Sequence, residues 1–443
     1  MNKIVLSSIL ALTLSAISAN ANSVKFYTDS NGQVFVTPGV GRTLLNVNPQ
    51  EVINAISQAS KQVENTQLKQ DVNDIKEEIS ELKLKDKKSG TSVFAKASKL
   101  KFSGTHYLGY TYKNKDSHTT GNFEMRRNYF QVKAYVLDDP KSYLRVTMDA
   151  TYDSHRASDI EDDTDGHADV YVKYAYIYLD DVLPFTGVEF GIAHRPWIDY
   201  EEHQGWWMRS ISKVFSEASE ASHLTNSADA GVNFKTKTPY FTSEIGLFNG
   251  EGYHGSNGGD EEIGDGNSLE WRATAAFMGN GDKKRKPLKD TYFDASFFGQ
   301  YNMDNSKNVD ANGDAQDYKF YGLHTVFNTP SFLISAQYIK AENDLENSSQ
   351  YNGDGYSVNG TFRFGAKKQY SVLARYDEWK SKNDKIDLEQ TTQNLIYGVT
   401  WKQNKNLKWL LSGQSYTAED NRNYKGKATQ DWDSAMLTAE VHW

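Results

Sequence analysis

The chain has 443 residues, a formal net charge of −9, no cysteine and a mean hydropathy of −0.69. These values exclude a disulfide framework or thiolate metal site, argue against nucleic acid as a partner and, with no second long apolar run, exclude a helical membrane protein. Aromatics nevertheless reach 13%, with 27 Tyr. Polar on average but rich in Tyr is the composition of a membrane β-barrel, where only alternate residues meet lipid and aromatics form girdles at both interfaces.

The chain opens with Lys3, an apolar run from Ile4 to Ile17, and Ala19-Asn20-Ala21. A short basic start, an apolar stretch and a small-x-small site predict a secretory signal peptide over 1–21. Residues 22–49 hold two short β-like runs flanking "DSNG" and predict a small periplasmic hairpin segment. Residues 50–88 lack Gly and aromatics, and Leu68, Val72, Ile75, Ile79 and Leu82 fall at 4-3-4-3 spacing. That heptad predicts a coiled-coil helix for oligomerisation or spacing, with a single solvated helix as the alternative. A linker over 89–98 follows.

From 99 to 443 the pattern is uniform. Amphipathic runs of about ten residues, the length a transmembrane strand needs, are separated alternately by short turns and long polar loops. That alternation predicts an all-β fold, a 16-stranded antiparallel transmembrane barrel with its short turns on one side. Leu144, Val146, Met148, Ala150 and Tyr152 oppose Arg145, Thr147, Asp149 and Thr151; Tyr356, Val358, Phe362 and Phe364 oppose Ser357, Asn359, Thr361 and Arg363. An Arg facing the lipid midplane costs about 2–4 kcal/mol, so the polar face must line a lumen. The final run places Ala435, Leu437, Ala439, Val441 and Trp443 on one parity. It predicts a closing strand with Trp443 at the closure, and "LTAEVHW" resembles the terminal aromatic signal that outer-membrane assembly machinery recognises.

Candidate lumen-wall charges are Arg127, Lys133, Arg145, Asp149, Lys173, Glu189, Arg195, Glu244, Glu270, Arg272, Arg363, Arg375 and Glu440. The loop over 198–226 carries Trp206, Trp207, Met208, Ile211, Val214 and Phe215, which need burial. Folding into the barrel would bury them and set Asp199, Glu201, Glu202, Arg209 and Lys213 at a constriction; capping the mouth is the alternative. Acidic loops at 161–169 and 310–317 resemble half an EF-hand but lack the closing Glu. They make Ca²⁺ a weak expectation, and no other metal or cofactor is expected. No HExxH, GxSxG or P-loop pattern occurs, so no enzyme is expected.

"GNFEMRRNYFQVKAYVLDDPKSYLRVTMDATYD", with Arg126 and Arg127, resembles a hairpin of the phosphate-selective porin O/P family. "DVYVKYAYIYLDDVLPFTGVEFGIAHRPWIDYEE", with Gly191, Arg195 and Pro196, resembles the strand pair before that family's pore loop. The whole plan looks like a porin of ε-proteobacterial type. The resemblance implies a homotrimeric outer-membrane channel, but the mixed wall and acid-rich loop depart from a dense Arg ladder. The expected function is therefore passive diffusion of ions and small hydrophilic solutes, with a weak cation preference. An anion- or phosphate-selective porin is the first alternative and a structural tether or adhesin the second. Expected partners are outer-membrane lipid and lipopolysaccharide, the assembly machinery, peptidoglycan and further copies of the chain.

Overall fold

The structure, a computed structural model, describes residues 26–30, 34–35, 39–45, 99–115, 118–135, 137, 139–151, 169–253, 266–309, 315–343, 352–383, 388–419 and 431–443. The expected signal peptide, coiled-coil helix and linker lie outside them, as do Tyr152 and most of both acidic loops.

The chain divides into two units, Met1–Ala95 and Lys96–Trp443. In the first, β1 (Phe26–Thr28) pairs antiparallel with β2 (Val34–Phe35) and on its other edge with β3 (Thr43–Leu45). The first two are the expected hairpin; the third strand was not foreseen.

In the second unit sixteen strands close on themselves. They are β4 (Leu100–Lys115), β5 (His118–Ala134), β6 (Tyr143–Thr151), β7 (Asp169–Leu183), β8 (Thr186–His194), β9 (Ala228–Lys237), β10 (Phe241–Phe248) and β11 (Asn267–Ala276). There follow β12 (Tyr292–Val309), β13 (Ala315–Asn328), β14 (Phe332–Asn343), β15 (Gly353–Phe364), β16 (Tyr370–Asn383), β17 (Leu388–Lys402), β18 (Leu407–Ala418) and β19 (Trp432–His442). Each pairs antiparallel with its sequence neighbour, and β19 pairs with β4 from His442↔Thr105 to Trp432↔Lys115, so no edge is left open. Backbone bonds between Gly104 and Trp443, at 3.0 and 3.2 Å, extend that seam. The Trp443 ring lies across Gly104, where a Cβ would stand 2.3 Å from the indole nitrogen, and Nε1 donates to His106 at 2.9 Å.

Period-two alternation decides the faces. Phe190, Leu323, Phe362 and Leu437 are exposed on the outside, while Thr147, Asn359, Asn394 and Thr438 are buried within. The expected contrast of short and long connections needs correction. The segments between strands at 116–117, 310–314 and 384–387 are brief, because β5, β12 and β16 continue past the span that lipid requires. Their ladders keep backbone groups paired where the polar strand ends project into water. The connection near 279–289, expected to be somewhat longer than the other short turns, runs over 277–291.

Among the described residues register shifts occur in four strand pairs, and two of them set neighbouring residues on one face. Between β4 and β5 the register steps from Tyr107↔Arg127 to Leu108↔Met125, leaving Arg126 unopposed. Between β6 and β7 it steps from Thr147↔Tyr174 to Met148↔Val172, leaving Lys173 unopposed. A bulge lets neighbouring residues share a face. Arg126 approaches the inward Met436, and Lys173 and Tyr174 are both buried on the inner side.

Candidate functional site

The segment 195–227 between β8 and β9 folds into the barrel. In the preceding strand β8, Gly191 has a φ of +126° and a Cβ position 2.3 Å from the Ala175 carbonyl, which leave room only for glycine. A two-turn helix, α1 (Ile198–Gln204), follows, and Gly205 N–H closes it on the Glu201 carbonyl at 2.9 Å. Trp197, Ile198, Trp206, Met208, Ile211, Val214, Phe215 and Leu224 pack against Phe298, Phe320, Ile339, Leu373, Ile396, Leu410 and Met436 on the inner faces of β12–β19. Trp197 stacks on Phe298 with ring centroids 3.6 Å apart. Polar bonds fix the rest: Arg375 Nη1 donates to the Lys213 carbonyl at 2.7 Å, Tyr292 OH to that of Gln204 at 2.9 Å, and Tyr318 OH to that of Leu224 at 3.2 Å. The loop thus lines half of the inner wall and narrows the lumen against the other half, β4–β8.

The five residues expected at the constriction separate here. Glu201 does not face the lumen. It is 1% exposed and turns to the wall, where Gln337 donates to it. Burial pushes its carboxyl up to about 7, against the pull of Arg375. The helix turn explains the error, since residue 201 points to the side of 197 and 198 that packs on the wall. Glu202 and Glu217 both pair with Arg209, and Lys213 Nζ lies 3.6 Å from Glu217. Asp199 lies 3.4 Å from His203 Nδ1 and 3.5 Å from Lys235 Nζ. Burial opposes its charge, yet His194 and Lys235 hold the carboxyl well below the usual range. Glu202, Glu217 and Asp199 therefore each have a basic partner.

The wall residues separate too. Arg195, Arg272, Arg363 and Arg375 do face inward, but each is at most 5% exposed. Arg195 is bound to Asp229 (2.6 Å) and Glu270 (3.4 Å), Arg272 to Glu244 (2.9 Å) and Arg375 to Asp377 (2.8 Å) under the Trp206 ring. Arg363 donates to Asn328 Oδ1 at 2.9 Å and to the Thr329 carbonyl at 3.0 Å. The expectation that they line the water path is corrected. Strand parity fixes the face of a residue but not what folds over it. Asp149 is likewise occupied, accepting from Tyr171 OH at 3.0 Å.

The uncovered wall carries bases of a different kind. Arg127 lies 4.3 Å from the Tyr129 ring centre, Lys133 4.1 Å from Tyr143 and Arg145 4.6 Å from Tyr174; Lys173, 4.4 Å from the Tyr253 ring centre, is itself buried and does not belong to the water-facing set. Among the described residues none of the four has a carboxylate within ion-pair distance. A ring face attracts a cation but leaves its charge uncancelled. Arg126 continues this row towards the long-loop end, beside Glu124 at 3.8 Å. Sequence reading missed Lys235 and the tyrosine backing.

No family model matches the chain, and no curated protein matches it in sequence. Solved structures do share its fold. The chain is similar to an anion-selective porin from Comamonas acidovorans, at a TM-score of 0.55 and 12% identity over 78% of this chain and 99% of that one. It is similar also to outer-membrane-expressed OmpT of Vibrio cholerae, at a TM-score of 0.50 and 15% identity over 78% of this chain and 97% of that one. At such identities the likeness is one of fold.

Proposed function

We propose that the chain is an outer-membrane channel for passive diffusion of ions and small hydrophilic solutes, and that it favours anions. The observation that carries the preference is the pairing pattern: Asp199, Glu202 and Glu217 of the pore loop have basic partners, whereas Arg127, Lys133 and Arg145 lie on tyrosine rings with no carboxylate within ion-pair distance among the described residues. A row of uncancelled charge of one sign along a narrow passage raises the local concentration of the opposite ion. The weak cation preference read from an acid-rich loop counted charges that partners neutralise. The closed barrel, the apolar outer face and the fold shared with a structure described as an anion-selective porin support the channel reading.

Membership of the O/P family, a homotrimeric state, contact with lipopolysaccharide and recognition of Trp443 during assembly belong to the same proposal. They rest on the Arg126-Arg127 hairpin, the heptad over 68–82 and the terminal aromatic. The test is the zero-current potential of the purified full chain in a planar bilayer under a KCl gradient. Stable conductance steps with a potential of anion sign are expected. A cation sign would reject the preference, and well-folded protein without steps would reject the channel.

A further inference from the structure

The inner faces of β4–β7 carry tyrosines and bases together. Along the ladders Tyr107, Tyr129, Tyr143, Tyr171, Tyr174 and Tyr176 share the inward parity of Arg127 and Arg145. Their rings form a run: centroids stand 4.4 Å apart from Tyr174 to His194, 5.4 Å from His194 to Tyr176 and 6.3 Å from Tyr176 to Tyr143. Tyr129, Tyr143 and Tyr171 are half-buried, so part of each ring meets the passage. Across the lumen the pore loop offers ion pairs instead. There Arg209 and Glu202, paired with each other, are near enough to act electrostatically on Arg127.

The two arginines of this run keep donors to spare. Arg145 is held along one edge, where Nε donates to Thr147 Oγ1 at 3.0 Å and Nη1 to Tyr176 OH at 3.2 Å and to His194 Nε2 at 3.0 Å. His194 can accept there because its Nδ1–H donates to Glu189 at 3.0 Å. Arg145 Nη2 makes no bond among the described residues. Arg127 is half-buried between the rings of Tyr107 and Tyr129, and among the described residues it has neither a hydrogen bond nor an ion pair. Beside it the enclosed Tyr129 hydroxyl has no partner among them either. A guanidinium offers a planar fork that meets a carboxylate with two parallel bonds. Tyrosine rings and guanidinium faces add stacking and edge contacts that only a solute with a ring of its own can use.

We infer that the uncovered wall chooses among anions: the tyrosine run, with Arg127 and Arg145 as carboxylate stations, takes small aromatic carboxylates in preference to anions without a ring. The inference rests on the channel reading for its role in passage, but binding to the wall can be measured without conduction. The probe is benzoate, with acetate and dihydrogen phosphate as ring-free anions that the same fork can meet. Each is added in turn while chloride current is recorded through single channels of the full chain. Benzoate should halve the current at a concentration about tenfold below that of either ring-free anion. Tyr129→Leu should bring benzoate to within about twofold of acetate. Arg127→Lys keeps the charge and loses the fork, and should weaken benzoate and acetate alike by about fivefold. Neither residue gives up a hydrogen bond among the described residues, so both variants should show wild-type heat-modifiable migration; Tyr143→Leu repeats the ring test further along the run if Tyr129→Leu folds poorly. The inference is overturned if acetate or phosphate acts at concentrations as low as benzoate, if the folded ring variants keep the wild-type ranking, or if Arg127→Lys blocks as wild type does. The sign of the gradient potential decides the channel reading separately. If that sign is cationic, or no steps appear, calorimetric titration of the detergent-folded full chain with the same three anions decides the inference by the same ranking.

Discussion

Arg127→Gln removes one uncancelled charge from the narrow part of the lumen. Its guanidinium lies 4.3 Å and 5.3 Å from two ring centres and meets no acid among the described residues. A unit charge about 4 Å from a passing ion is worth about 1 kcal/mol in bulk water and several times that near protein. One kcal/mol is about fivefold in occupancy, raised for chloride and lowered for potassium. Two similar bases, Lys133 and Arg145, remain in the variant, and at 0.1 M salt the screening length is about 10 Å. The chloride-over-potassium permeability ratio should therefore fall about three- to tenfold. The assay is the zero-current potential across a 0.1 M against 0.01 M KCl gradient, with K319Q as control. Lys319 faces outward and pairs with Glu342 at 3.1 Å, so its loss should leave the potential unchanged. The reasoning fails if R127Q keeps the wild-type potential, or if K319Q shifts it as far.

Trp206→Ala empties a fully buried site under the pore loop and should cost about 3–5 kcal/mol of local packing. Conductance should rise with added open-channel noise, and limited proteolysis should cut within 198–226; a quiet channel of wild-type size would refute the anchoring role. Glu201 in the fold titrates near 7, above its ordinary range, so the stability it lends the folded loop is complete below pH about 4.5 and is lost as pH rises through 7. Glu201→Gln should then raise the thermal unfolding midpoint at pH 8, by the equivalent of about 1–3 kcal/mol, and leave it nearly unchanged at pH 4; equal gains at both pH values would contradict the burial argument. Trp443→Ala strips the ring from Gly104 and the bond to His106, and should lower the yield of heat-modifiable folded protein severalfold on refolding into lipid vesicles; an unchanged yield would remove Trp443 from barrel closure.

The architecture was legible because strands repeat every two residues and lipid penalises errors heavily. The number of strands, the inner and outer faces and the inward course of the loop carrying Trp206 and Phe215 could all be read this way. The bulges were legible too, though unread. In β5 the apolar parity passes from Phe123 and Met125 to Phe130 and Val132, and in β7 from Val170 and Val172 to Ala175 and Ile177. Each phase slip marks a residue inserted against its partner strand. What the pattern could not carry was cover. Arg375 and Arg127 have the same signature in a strand, and only the path of a distant loop decides that one lies beneath an indole and the other meets water. The partners of Glu202 and Asp199 come from Arg209 in an irregular segment and Lys235 on another strand, a matter of tertiary geometry that no local spacing encodes.

The inner faces of β12–β19 contribute Phe298, Phe320, Ile339, Leu373, Ile396 and Leu410 to the packing beneath the pore loop. Those strands carry apolar patches on their inner faces, set among buried polar residues, as well as an apolar outer face. Excising the loop to make a wider conduit would wet an oily inner surface, and the barrel would be driven to flatten, recruit detergent or self-associate. In this barrel the plug and the staves form one indivisible core, so a change of bore has to come from the uncovered wall of β4–β8, where water already touches the protein.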